Sequence, residues 1–215
     1  MGKITHLFPG GNTCYGFYSL YDYMAYPETD YKIILKGGPG VGKSFFMKHM
    51  GEYFEREQFD LEYHWCSSDP DSLDGIVIGQ QKVCILDGTA PHIVDPRFPG
   101  AVDEIINLGQ FLDREKLRLV RQEIIKLSEN VSWCFNKAYG RLKETSLAFQ
   151  EWESYYSRAI DIPAVNRNIL ALAEDFLSNC TPTYKKPRHL FAGAITPAGI
   201  VTKVKSIIDS DYSLF

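Results

Sequence analysis

The chain lacks the features that would mark several common classes of protein. Its five cysteines, Cys14, Cys66, Cys84, Cys134 and Cys180, are odd in number, lie far apart and form no C-x-x-C pair. That spacing argues against a disulfide framework or a zinc site. Neither charge sign is in large excess: 23 basic and 27 acidic residues leave a formal charge of −4. No overall basic field therefore draws the chain to nucleic acid or to an anionic membrane, although Lys185, Lys186 and Arg188 form a local basic patch. No segment approaches the ~18 uninterrupted apolar residues of a membrane span, and Met1 to His6 has no long apolar leader-type run. These absences lead us to expect a reducing, cytoplasmic location, no membrane partner, and nucleic acid as a poor fit. With 215 residues, 45% of them hydrophobic, the chain can bury a full core, as one α/β domain or one domain plus an appendage.

The strongest positive signal is Gly37 to Ser44, which reads G-G-P-G-V-G-K-S and satisfies G-x-x-x-x-G-K-[ST]. The apolar run Tyr31 to Leu35 before it reads as a buried strand, and Phe45, Phe46, Met47, Met50 and Phe54 behind it fall at helical spacing. Strand, loop and helix in that order form a phosphate-binding loop, or P-loop. Gly37, Gly40 and Gly42 can adopt backbone angles closed to other residues, turning successive N–H groups toward a β-phosphate at the positive end of a helix. Gly38, Pro39, Val41 and Phe45 complete the expected ATP-binding segment. Lys43 is placed to reach the β- and γ-phosphates, and Ser44 to offer its hydroxyl to Mg²⁺. A second acidic strand end is needed on the metal side, and Val83 to Asp87 supplies an apolar run closing on a carboxylate. We therefore expect ATP and Mg²⁺ as cofactors, with Lys43 and Asp87 catalytic and with Ser44 and Asp87 toward the metal.

Along the chain, Ile4 to Phe8 reads as a strand, Gly10 to Thr13 as a turn and Gly16 to Tyr26 as an aromatic-rich helix. Leu61 to Cys66 is a second strand after the P-loop helix, followed by a turn over Ser67 to Ser72, an extended piece at Ile76 to Ile78, and the strand ending at Asp87. This alternation predicts an α/β, three-layer P-loop NTPase fold with a mostly parallel sheet and helices on both faces. From about 111 to 160 the pattern is helical, with Ile124, Leu127, Val131, Cys134 and Ala138 at spacings of three and four. Unbroken from Asp113, this arm would span roughly 70 Å, so a bend near Tyr139-Gly140 into a helical hairpin is expected. Arg114, Arg118 and Arg121 share roughly one face. Such a run is usually a solvated stripe; the alternative is a lid that closes on phosphates.

An internal repeat cuts across this organisation. His6-Leu7-Phe8-x-Gly10-x-x-Thr13-x-x-Gly16 recurs as His189-Leu190-Phe191-x-Gly193-x-x-Thr196-x-x-Gly199, without a gap. The register continues loosely, Asp211 to Phe215 matching Asp30 to Ile34, so that a second phosphate loop would fall just past Phe215. The expected layout is one P-loop module over 1–180, a linker over 181–187, and the start of a second, truncated repeat over 188–215. The alternative is a tail that simply completes the first domain.

Four segments together, His6 to Tyr18, Lys36 to Ser44, Cys66 to Gly75 and Asp87 to Ala101, carry a family resemblance. They read H-L-F-x-G-G-N-T-x-x-G-F-Y, K-G-G-P-G-x-G-K-S, C-S-S-D-x-D-S-L-D-G and D-G-T-A-P-H-x-V-D-P-x-x-P-G-A. The chain resembles an uncharacterised group of bacterial ATPase-like proteins with two tandem P-loop modules. The likeness covers essentially the whole chain. It implies ATP binding and tandem architecture and brings no substrate. The chain departs from the group in lacking nearly all of a second module.

Two further absences narrow the chemistry. Many hydrolysis motors place a Glu directly after the acidic strand end, where this chain has Gly88. A guanine-reading N-K-x-D is missing as well, since Asn136-Lys137-Ala138-Tyr139 lacks the acid. ATP is thus preferred over GTP, and a fast motor is disfavoured. The leading expectation is slow Mg-dependent ATP hydrolysis or phosphoryl transfer. A small-molecule or nucleotide kinase is the first alternative, its base or positioning group drawn from Asp69, Asp71 and Asp74 or from His92, Asp95 and Arg97. For Asp69 the competing role is turn and helix-cap chemistry, and for His92 that of a structural loop histidine. The second alternative is a nucleotide-gated interaction module that binds a protein partner through the helical arm. His64 and Trp65 read as packing residues.

Overall fold

The computed structural model describes residues 2–79, 82–90, 92–177 and 187–208. Its elements are β1 (Ile4–Leu7), β2 (Gly10–Thr13), β3 (Gly16–Ser19), β4 (Tyr31–Lys36), α1 (Lys43–Arg56), β5 (Leu61–Trp65), β6 (Leu73–Ile78), β7 (Val83–Asp87) and β8 (Asp103–Asn107). There follow α2 (Arg114–Leu119), α3 (Arg121–Ala159), α4 (Ile162–Leu177), β9 (Gly193–Thr196), β10 (Gly199–Thr202) and α5 (Val204–Ile208). The fold is mixed α/β, around a six-stranded sheet ordered β1-β5-β6-β7-β4-β8. Within that sheet β6 alone is antiparallel to its neighbours, and the other strands run the same way. The short path from β5 to β7 leaves no room for a crossover helix, so β6 returns as an antiparallel strand.

Apolar residues on both faces explain the central strands. On one face Leu35, Ile76, Ile78 and Ile85 pack with Met47 of α1, flanked by Met50 and Phe54. On the other, Ile34, Val77, Cys84 and Leu86 meet Tyr21 and Met24, with Phe17 and Tyr26 at the margin. Each such side chain stabilises the fold by about 1.5–3 kcal/mol when fully buried. The sheet is thus mixed, and its second face is covered by an aromatic segment where a helix was expected.

That segment corrects the sequence reading. Gly10 to Thr13 is a strand, and Gly16 to Tyr26 is strand β3 followed by one 3₁₀ turn at Tyr21–Tyr23. Thr13 closes the two-residue hairpin turn, its Oγ1 donating to Gly16 O at 2.7 Å and accepting from Tyr15 N–H at 3.1 Å. Gly16 takes φ +101°, where any side chain is strained. Phe17 and Tyr18 lie on a pleated, partly exposed strand, a surface that aromatic side chains fit as readily as a helix. Strand β8, paired in parallel with β4, was not anticipated.

The hairpin of the repeat has the same structure in both copies. Strands β9 and β10 form a hairpin in which Thr196 Oγ1 donates to Gly199 O at 2.9 Å and Gly199 takes φ +102°. Phe8 N–H donates to Phe191 O at 2.9 Å and Phe191 N–H donates to Phe8 O at 3.0 Å, joining equivalent residues reciprocally. Asn12 Nδ2 also donates to the carbonyl of its own counterpart, Ile195, at 2.9 Å. Reciprocal pairing of equivalents relates the two hairpins by a local twofold axis. Arg188 ties the second copy to the core through a two-pronged ion pair with Glu62 (3.1 and 2.9 Å), and its guanidinium lies 3.6 Å from the Tyr26 ring centre. It is therefore not part of a free basic patch, while Lys185 and Lys186 lie outside the described residues. So do the expected linker up to Lys186 and the Asp211 to Phe215 match.

The arm also departs from expectation. The helix breaks at Val120, which separates Arg114 and Arg118 on α2 from Arg121 on α3, so the three do not share one helix. Helix α3 then runs unbroken for 39 residues, about 58 Å, straight through Gly140. The chain turns only at Ile160-Asp161, where Asp161 Oδ1 accepts from Ala164 N–H at 3.0 Å and α4 begins. No residue of α3 is buried, and Ile169, Leu170 and Leu172 of α4 are exposed. Among the described residues, no helix is long and apolar enough to cross a membrane. A Cβ at Gly140 would meet nothing within 4 Å. Gly140→Ala is accordingly expected to stabilise the arm by about 0.5–1 kcal/mol, read as slower amide exchange around the site. Faster exchange would mean that the helix bends there.

Candidate functional site

Strand β4 ends at Lys36, and the next six residues, Gly37 to Gly42, turn back into α1. Gly37, Gly40 and Gly42 all take positive φ (144°, 77° and 92°), and Gly42 caps α1, its carbonyl accepting from Phe46 N–H at 2.8 Å. Side chains are strained in this left-handed region, so glycine is what lets the loop close at each point. Lys43, buried at 9% exposure, folds along the loop and donates to Gly37 O at 2.7 Å and Gly38 O at 3.0 Å. Its ammonium also lies 3.5 Å from Asp87 Oδ2. Asp87 is oriented in turn by Thr89 N–H, which donates to Oδ1 at 2.8 Å. Ser44 Oγ accepts from Leu73 N–H at 2.9 Å, linking the loop to the start of β6.

The loop after β7 is held by Lys36, which donates to Gly88 O at 2.8 Å, Val94 O at 2.7 Å and Asp95 Oδ1 at 3.0 Å. A Cβ at Gly88 would come 2.4 Å from Ile34 Cγ2 and 2.9 Å from Val94 O. Packing therefore excludes a motor-type glutamate at this position.

Because β6 is antiparallel, its N-terminal end lies beside the C-terminal ends of β5 and β7. The β5–β6 register shifts so that Trp65 pairs with Leu73 and His64 with Gly75, leaving Asp74 as a bulge. Bulges re-aim side chains, and Asp74 is buried, its Oδ2 accepting from Tyr21 OH at 2.5 Å. Cys66 after β5 and His92 after β7 complete a buried group with Asp74, one ligand-type atom from each lying within 4.8 Å of the others. The His92 ring packs 4.4 Å from Phe17 and 4.8 Å from Tyr21. Burial lowers the His92 pKa, keeping its imidazole neutral at physiological pH, with the nearby Asp87 charge opposing. For Asp74, burial pushes the carboxyl up to about 7, against the bonds from Tyr21 and Cys66 and with help from the Asp87 and Asp69 charges.

These features line one cleft of about 540 Å³. Of the residues expected from sequence, Pro39, Gly40, Gly42, Lys43, Ser44 and Phe45 border it, as do Asp69, Asp87 and His92. Gly37 and Gly38 face Lys43 with their carbonyls, and the Val41 side chain packs on Gly37. Asp69 is also a turn residue: its Oδ2 accepts from Ser72 Oγ at 2.6 Å and its Oδ1 from Asp71 N–H at 3.3 Å. Asp95 pairs with Lys36, and Arg97 is exposed and does not border the cleft. His64 is fully buried and Trp65 Nε1 donates to His6 Nδ1 at 3.1 Å, consistent with packing roles. Sequence reasoning missed Cys66, Thr89 and Phe135. Phe135 reaches the cleft from α3, whose Tyr139 OH donates to Asn12 Oδ1 at 3.1 Å.

Asp74 generates a pH-dependence. An unfolded aspartate ionises near pH ~4, whereas the folded one ionises at about 7. The folded chain thus binds more protons between those values, and stability falls as pH rises through that window. In chelator-treated protein, Asp74→Asn should raise stability by about 1–3 kcal/mol at pH 8 and by much less at pH 5, read by urea denaturation. An equal effect at both pH values would contradict the assignment. In comparisons with known proteins, no family model, no curated protein and no solved structure matches the chain.

Proposed function

We propose that this chain is an ATP-binding P-loop NTPase that works with Mg²⁺, by slow hydrolysis or phosphoryl transfer. The observation that carries the reading is Lys43, at the first residue of α1, 3.5 Å from Asp87 Oδ2 across a loop in which Gly37, Gly40 and Gly42 take positive φ. The donor set fits both groups. Glycine backbone turns at a helix N-terminus suit a polyphosphate, and a serine hydroxyl beside a carboxylate suits a hard cation. Ser44 Oγ has a second lone pair beyond the one bonded to Leu73 N–H, which leaves it able to ligate Mg²⁺ with Asp87 on the metal's water shell. Bound there, Mg²⁺ would neutralise phosphate charge.

The chain's own residues would act as follows. Lys43 exchanges its bonds to Gly37 O and Gly38 O for phosphate oxygens and keeps Asp87 as a counter-charge. Backbone N–H groups of the loop would hold the β-phosphate. With Gly88 where a motor has glutamate, no carboxylate there orients water, which favours slow turnover. Asp69 and His92, on the same cleft, remain candidates to position an acceptor or a water.

One observation favours a second reading, a nucleotide-gated interaction module. Phe135 of the exposed arm borders the cleft, so a bound nucleotide would touch the element that a protein partner would grasp. A kinase acting on a small molecule is the further alternative. Purified chain with Mg-ATP is expected to release ADP, and Lys43→Ala and Asp87→Ala to reduce release by roughly 10²-fold or more. Unchanged release in Lys43→Ala would remove this site. Tight binding without turnover would select the gated module, and ADP release that rises with an added acceptor would select the kinase.

A further inference from the structure

Three side chains of the cleft form a cluster of their own and are more deeply buried than the metal-side acid, Asp87. Cys66, Asp74 and His92 are 8%, 6% and 9% exposed, and sit at the ends of the adjacent strands β5, β6 and β7. We propose that they form a site for a zinc-class divalent transition-metal ion, with an open coordination position facing the cleft.

The donor set is one thiol, one carboxylate and one imidazole. Hard ions such as Mg²⁺ and Ca²⁺ prefer oxygen alone, whereas Zn²⁺ and Co²⁺ take this mixture. Three protein ligands plus an open position is the pattern of a reactive zinc site. A tetrahedral ion with bonds of about 2.0–2.3 Å needs ligand atoms about 3.3–3.8 Å apart. The observed group lies within 4.8 Å, so side-chain rotations closing the gap by about 1 Å suffice.

The surroundings are those of a supported ligand set. Tyr21 OH holds Asp74 Oδ2 at 2.5 Å, leaving the other oxygen to ligate. Backbone N–H groups of Ser68 and Asp69 point at the Cys66 sulfur, which favours a thiolate. The rings of Phe17 and Tyr21 fix the His92 imidazole. His92 Nδ1 is buried without a hydrogen-bond partner among the described residues, a costly arrangement that a cation on the ring would relieve. A catalytic thiol explains the group less well, because burial pushes Cys66 up to about 12 and keeps it protonated. Ion binding would displace that proton, so affinity should rise with pH.

The test uses the whole chain, stripped with chelator and titrated with Co²⁺. One equivalent should bind with a thiolate-to-cobalt charge-transfer absorption, displaceable by Zn²⁺. Cys66→Ser should abolish the band, and His92→Gln and Asp74→Asn should each weaken binding at least tenfold, with folding checked by circular dichroism. Lys43→Ala should keep the band even where ATP turnover is lost, which separates this site from the nucleotide loop. No binding by the folded chain, or an undiminished band in Cys66→Ser, would overturn the proposal. The latter result would assign the signal to another of the chain's five cysteines. Should Cys66→Ser fail to fold, unchanged affinity in both His92→Gln and Asp74→Asn would overturn it equally.

Discussion

Parallel pairing of β4 with β7 sets the chemistry of the cleft. Leu35 lies opposite Asp87, so the chain leaves β4 into the glycine loop directly beside the carboxylate that ends β7. Lys43 spans the gap, bonded to the loop that carries it and 3.5 Å from Asp87. Sliding β4 by one residue would turn Ile34 out of the face it shares with Leu86 and move the loop off the acid. Core packing and site geometry are therefore one constraint. The close approach at Gly88, against Ile34 and Val94, belongs to it as well.

A second constraint is the reversal of β6. In an all-parallel sheet its N-terminal end would lie at the opposite edge of the sheet. Running antiparallel, it brings Leu73 N–H to Ser44 and the bulged Asp74 between Cys66 and His92. The cleft thus has two sides, one built from the loop and Asp87 and one from the buried thiol, carboxyl and imidazole. Lys36 braces the segment joining them at three acceptors.

What could be read in the sequence follows from the range of each signal. The β4, loop and α1 unit is local: apolar run, glycines and helical spacing all fall within one stretch, and the structure places the elements there. Strand β8 is an exposed edge strand, Glu104 and Ile105 facing solvent, so it lacked the apolar run that marked β4 and β7. The hairpin β2–β3 was misread because aromatic residues suit either structure, although its twin held the answer. Ala194-Ile195-Thr196-Pro197-Ala198-Gly199-Ile200-Val201 has β-branched flanks and a turn proline, and equivalent repeats share a conformation. Cys66, Asp74 and His92 meet only through strand order and a bulge, which spacing along the chain does not encode. The bend expected at Gly140 assumed that the arm must fold back on the domain. Helix α3 instead projects without burying a residue, touching the rest of the molecule near Asn12 and the cleft.

The central claim is that the glycine loop holds a β-phosphate, which makes selectivity among adenine nucleotides its most direct measure. Calorimetry of the purified chain with ATP, ADP and AMP, each with Mg²⁺, should show ATP and ADP binding and AMP at least roughly tenfold weaker, a difference of about 1.4 kcal/mol or more. AMP binding as tightly as ATP, or no binding of any of the three, would contradict the account.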